Sequence, residues 1–144
     1  MRLALLIFAI ALPLAVPTTS NAQTSTPIAP CPVGETASLL PPTADAPTTV
    51  TAVLTPEMNI QPAAAGDPTS FHYHYYIDLD PATVSQPGQP IPSGNPQIIH
   101  SASATQDLGP LAPGEHTVWL VVGQLNHVPC DPPLMAAVSF YVPG

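Results

Sequence analysis

Five histidines, His72, His74, His100, His116 and His127, are the residues of this chain best able to do chemistry, and two of them stand at i and i+2 in the segment FHYHYYIDL, residues 71–79. Side chains alternate across a strand. Read as β, the segment places His72, His74, Tyr76 and Asp78 on one face and Phe71, Tyr73, Tyr75, Ile77 and Leu79 on the other. The second set is wholly apolar or aromatic and is the predicted core face. Imidazoles two residues apart on one face have Cβ atoms roughly 6.5–7 Å apart and can lean toward a common ion at about 2.0–2.1 Å. Neutral imidazole suits copper and zinc, and Asp78 on the same face is a further ligand or an acceptor behind one. A third ligand must come from elsewhere. His127, in Asn126-His127-Val128-Pro129 beside Cys130, is the first choice. His116, which opens a strand after a Pro-Gly turn, is the next, while His100 reads as structural. Coordination needs neutral rings, so affinity is expected to fall as pH drops through about 6.5. The competing reading makes all of these histidines structural, bonded to strand carbonyls, turns or Asp78.

The elements that must position these residues are short. TTVTAVL (residues 48–54), FHYHYYIDL (71–79), QIIHSASAT (97–105), HTVWLVV (116–122) and MAAVSFYV (135–142) are β-branched or alternating runs separated by Pro, Gly, Asn and Asp. No long proline- and glycine-free stretch after the N-terminal apolar run shows a helical period. These five, with one or two weaker strands possible before Thr48 or near Met58, predict an all-β protein, an immunoglobulin-like antiparallel β-sandwich of five to seven strands, its domain spanning residues 48–144. A Pro/Thr/Ala-rich arm, residues 23–47, precedes it. Residues 81–96 carry five prolines and two glycines, a loop long enough to suggest a function of its own. Phe71, Tyr73 and Tyr75 read as core. Trp119, out of phase with Val118 and Leu120, is the one aromatic expected to be exposed.

Charge and export narrow the function. The chain has one basic residue, Arg2, and nine acidic ones. It cannot neutralise phosphates, which excludes nucleic acid, anionic lipid and every mechanism built on Lys or Arg. An acidic field suits a cation. Met1-Arg2, the apolar run over residues 3–16 and Ser20-Asn21-Ala22 read as a signal peptide over residues 1–22, cleaved before Gln23. The run is short for a membrane span, so none is expected once the signal is removed. Export to the periplasm or medium permits a disulfide, and Cys31 and Cys130, the only two cysteines, have one pairing. No nucleophile elbow and no paired carboxylates are present, and no enzyme activity is expected.

His72-x-His74 with Ile77-Asp78, Pro87-Gly88-x-Pro90-Ile91-Pro92, His100-Ser101, Leu111-x-Pro113-Gly114-x-His116-Thr117 and Asn126-His127-x-Pro129 occur in that order. The series resembles a family of small exported bacterial domains of unknown function over roughly residues 70–142. The resemblance implies an immunoglobulin-like sandwich in the cell envelope and makes all five histidines pattern positions. Phe71-His72-Tyr73-His74 with Asp78 is also similar to the first copper strand of copper/zinc superoxide dismutases. Those enzymes need a histidine-bearing zinc loop and a guiding arginine. Residues 81–96 hold no histidine, the only arginine is Arg2, and a negative field repels superoxide, so dismutase activity is rejected. The expectation is an exported, non-catalytic sandwich that binds copper before zinc. The alternative is an envelope module that meets a protein or glycan.

Overall fold

The computed structural model describes residues 28–144, so the predicted signal peptide lies outside the described residues. Seven strands form: β1 Thr36–Leu40, β2 Thr49–Thr55, β3 Phe71–Ile77, β4 Ile98–Ser101, β5 Thr105–Asp107, β6 Gly114–Gln124 and β7 Met135–Val142. They make two antiparallel sheets, β1-β2-β5 and β4-β3-β6-β7. This is an immunoglobulin-like sandwich whose fourth strand pairs with the third. Period-2 patterning explains the layers. Val50, Ala52 and Leu54 of β2 meet Phe71, Tyr73 and Tyr75 of β3 and Val118, Leu120 and Val122 of β6, all buried between the sheets. Tyr75 is fully buried, and its hydroxyl lies 2.9 and 3.0 Å from the carbonyls of Ser103 and Ala104. The core thereby gives the phenol a partner. Among the described residues no helix is long and apolar enough to cross a membrane.

Two elements depart from the sequence reading. β1 lies inside the stretch read as an arm. TASLL has no clear alternation, yet Leu39 is buried and pairs opposite Ala52. The predicted strand over residues 97–105 is two strands in different sheets, β4 and β5. The chain crosses the sandwich through the small residues Ala102-Ser103-Ala104, and the Ala104 carbonyl accepts from the Ala52 amide at 2.8 Å.

The outward face of β3 is as buried as its inward face. The 20-residue connection from β3 to β4 folds back over it. A single helical turn, α1 Pro81–Val84, starts this connection, with Pro81 in the first turn and the Asp80 carboxylate accepting from the Ala82 amide. Ile91 is 2% exposed and closes a second, smaller core with Tyr76, Ile98 and Val121. Trp119 packs partly buried against this cluster instead of standing free.

Candidate metal centre

β3 is the axis of the site. Its register sets His74 opposite His100 on β4 and Val121 on β6, and His72 opposite Gly123. His72, His74 and His100 therefore share one sheet face. The fourth imidazole comes from the turn that ends β6. There the His127 amide donates to the Gln124 carbonyl at 2.8 Å and the Gln124 amide to the Val128 carbonyl at 2.9 Å. This is the bonding of a three-residue hairpin loop, whose last residue takes a left-handed backbone. His127 has φ +64°, at a position where glycine or asparagine would sit with less strain. The strand that follows returns through Cys130, bonded to Cys31 and joined to β6 by its amide on the Val122 carbonyl. On the other side, the Ile91 amide donates to the His127 carbonyl at 2.8 Å. The proline-rich loop and the disulfide thus grip the hairpin from two directions.

The four rings converge on His127 Nδ1. It lies 3.0 Å from His72 Nε2, 3.3 Å from His74 Nε2 and 3.0 Å from His100 Nδ1. One nitrogen from each of the four rings lies within 4.8 Å of the other three. Nitrogens bound to one ion at about 2.0–2.1 Å stand about 2.9 Å apart at a right angle and about 3.4 Å apart at the tetrahedral angle. The three spacings from His127 Nδ1 fall in that interval. The cluster could therefore hold a metal ion.

The outer nitrogens decide which way the lone pairs point, because a neutral imidazole has one N–H and one lone pair. His74 Nδ1 faces the Val121 carbonyl and His100 Nε2 faces the Pro92 carbonyl, each at 3.3 Å. A carbonyl only accepts, so these nitrogens carry the protons and His74 Nε2 and His100 Nδ1 present lone pairs inward. His72 Nδ1 is buried with no partner. His127 Nδ1 has either one hydrogen or one lone pair, so at most one of its three short contacts is a linear hydrogen bond. The rings do not satisfy each other.

Burial keeps the rings of His72, His74 and His127 neutral. His72 and His74 are 2% and 0% exposed. Desolvation, helped by the neighbouring rings, pulls the His72 pKa down to about 4 and that of His74 further, to about 2. His127 is lowered by the same two causes, desolvation first and then His100. Neutral imidazole is the ligating form.

Of the residues proposed from sequence, His72, His74 and His127 come together. His116 and Asp78 do not join them. His116 is five positions along β6 from Val121, roughly 16 Å at strand rise, and in phase with Val118 and Leu120, on the opposite face. Asp78 has left the strand with φ +51°. Its Oδ2 pairs with His116 Nδ1 at 2.7 Å, its Oδ1 accepts from the Thr117 amide at 2.8 Å, and His116 Nε2 faces the Ala112 carbonyl at 2.7 Å. The pair locks the turn after β3 to the start of β6. His100, read as structural, supplies the fourth nitrogen. Only strand pairing reveals it, since it shares no local motif with His72 and His74. Gly123 had no sequence signal. A Cβ there would stand 2.6 Å from His74 Cε1, so the position must be glycine for the His74 ring to lie flat on β6.

The fold and cluster define a class: a two-sheet sandwich carrying a buried four-imidazole cluster under a loop. Residues 51–142 match the family model described as Domain of unknown function (DUF4399), and the chain belongs to that family. All four clustered histidines lie in the matched span. No curated protein matches the chain, and no solved structure does.

Proposed function

We propose that this protein binds one transition-metal ion, copper before zinc, through His72 Nε2, His74 Nε2, His100 Nδ1 and His127 Nδ1, and catalyses no reaction. One observation carries the reading: three imidazole nitrogens stand 3.0–3.3 Å from His127 Nδ1, which can hydrogen-bond only one of them. Four neutral nitrogen donors favour copper(II) over zinc(II) by the usual affinity order. Four protein ligands leave no open position in a tetrahedral site, which is the mark of holding an ion instead of using it. The Cys31–Cys130 bond supports an oxidising compartment such as the periplasm or the medium, reached through the N-terminal leader.

The test is calorimetric titration of the purified protein with Cu(II) and with Zn(II). Wild type is expected to take up one equivalent of either. His72→Ala/His74→Ala, with its fold checked by circular dichroism, is expected to lose that uptake. Equally weak binding by both proteins would remove the metal reading and leave an envelope interaction module.

A further inference from the structure

The four ligands are not held alike, and the difference bears on what the protein does with its ion. His72 and His74 sit on β3, between β4 and β6, and are almost wholly buried. His100 is half-buried, but it lies in the β3–β4 ladder and its outer nitrogen is bonded to the Pro92 carbonyl. His127 belongs to no ladder. It is half-buried, it occupies a left-handed hairpin position, and its Nε2 has no hydrogen-bond partner among the described residues. The ladders fix the backbones of the first three, and His72 and His74 have no open side to turn toward. Moving His127 breaks no strand ladder and takes a rearrangement of the hairpin alone, between its Gln124 bond, the Ile91 contact and Cys130.

We infer that the protein is a metal carrier that gives up its ion by ligand exchange at His127, to an imidazole or thioether donor of a partner protein. The inference rests on the reading of the cluster as a metal site. In the exchange, His127 Nδ1 leaves the ion as the incoming donor binds, so coordination number and charge are kept and no electron moves. His72, His74 and His100 hold the ion meanwhile. The partner's donor enters from the side where His100 and His127 are half-exposed, because His72 and His74 are almost wholly buried. A purely structural ion would instead be released only when the whole cluster opened, at a rate set by the protein alone.

The experiment loads the full-length protein with one equivalent of Zn(II) and follows its transfer to a chromophoric pyridylazo chelator by stopped flow. Exchange at His127 predicts a rate that rises linearly with chelator concentration. It also predicts that His127→Ala still binds one Zn(II) and releases it at least about tenfold faster, equivalent to about 1.4 kcal/mol. His74→Ala is expected to lose far more affinity than His127→Ala. A wild-type rate independent of chelator concentration overturns the inference, as does equal loss of affinity in the two variants. Should His127→Ala fail to fold, the wild-type concentration dependence decides alone. Failure of the metal reading looks different: the wild type never takes up the first equivalent.

Discussion

Adding one methyl group at Gly123 tests the packing behind the site. The backbone there is ordinary strand, so alanine meets no conformational penalty and, by reducing unfolded-chain freedom, would by itself stabilise by about 0.5–1 kcal/mol. The new Cβ, however, would stand 2.6 Å from His74 Cε1 and 3.1 Å from its Nδ1. Carbon atoms in contact rest at about 3.5–4.0 Å, so the ring must retreat by about 1 Å. It has nowhere to go. Its centroid is already 4.5 Å from that of His72 and 4.6 Å from that of His100, and its Nδ1 is tied to Val121. Overpacking of this kind costs about 1–3 kcal/mol. Gly123→Ala is expected to lose about 1–2 kcal/mol net, a fall in Tm of roughly 4–10 °C for a domain of this size. Because His74 Nε2 moves with its ring, Zn(II) affinity should drop at least about tenfold. Scanning calorimetry without metal and calorimetric titration with it read the two effects. A variant as stable as wild type with unchanged affinity would refute the placement of His74 against β6.

Removing the disulfide by Cys31→Ser/Cys130→Ser frees a loop spanning 99 residues; urea unfolding should show a loss of about 4–5 kcal/mol in the chain-entropy model, and weaker Zn(II) binding because the His127 hairpin loses an anchor. Asp78→Asn should leave metal affinity untouched while lowering the His116 pKa, read by NMR titration of its ring protons; a change in metal affinity would return Asp78 to the ligand set. Without metal, stability should fall as pH drops below about 6.5 toward about 4, by about 1.4 kcal/mol per pH unit for each responding ring. His72 and His74 are depressed in the fold, to about 4 and about 2, so the unfolded chain takes protons first and the stability they give exists only above its pKa; flat acid stability would contradict their burial. His116 acts in the opposite sense. Its pKa is raised by the Ala112 carbonyl and then by Asp78, so its contribution is complete below about 6.5 and vanishes as pH climbs through the raised value, which chemical denaturation of His116→Gln against wild type would detect.

How much of this was legible follows from what each signal depends on. β2, β3, β6 and β7 announce themselves because their alternation and their flanking prolines are local. β1 hides because TASLL buries one large side chain, Leu39, and draws its stability from pairing with β2. The break between β4 and β5 is a property of two sheets competing for one segment, which no window of sequence contains. The same division runs through the site. His72 and His74 are readable from spacing within one strand, and His127 from its place beside a cysteine. His100 enters through a register relation between residues 26 positions apart. Strict alternation puts Asp78 on the histidine face only if β3 runs one residue further than it does: the strand ends at Ile77 and a left-handed turn swings the carboxylate to His116. The expectation that metal affinity falls near pH 6.5 used free imidazole values. In the fold, His72 and His74 stay neutral well below that, and the fall should come at lower pH.

The four-imidazole cluster is costly to the fold in the absence of an ion. Burying His72 and His74 removes two imidazoles from water, and one of the freed donors, His72 Nδ1, finds no acceptor. An unmade hydrogen bond of this kind costs about 1–3 kcal/mol. A sandwich built only for stability would fill this covered face of β3 with apolar side chains, as it fills the other with Phe71, Tyr73 and Tyr75. Here it has histidines, a residue in left-handed strain at 127 and a glycine at 123, three choices that each weaken the scaffold. They share one effect, which is to bring four neutral nitrogens within 4.8 Å. Lone pairs held that close repel one another until a cation stands between them. The binding free energy of the ion is then returned as folding stability, so Cu(II) should raise the unfolding temperature by an amount that grows with the logarithm of its free concentration; an unchanged unfolding temperature at saturating Cu(II) would contradict the site.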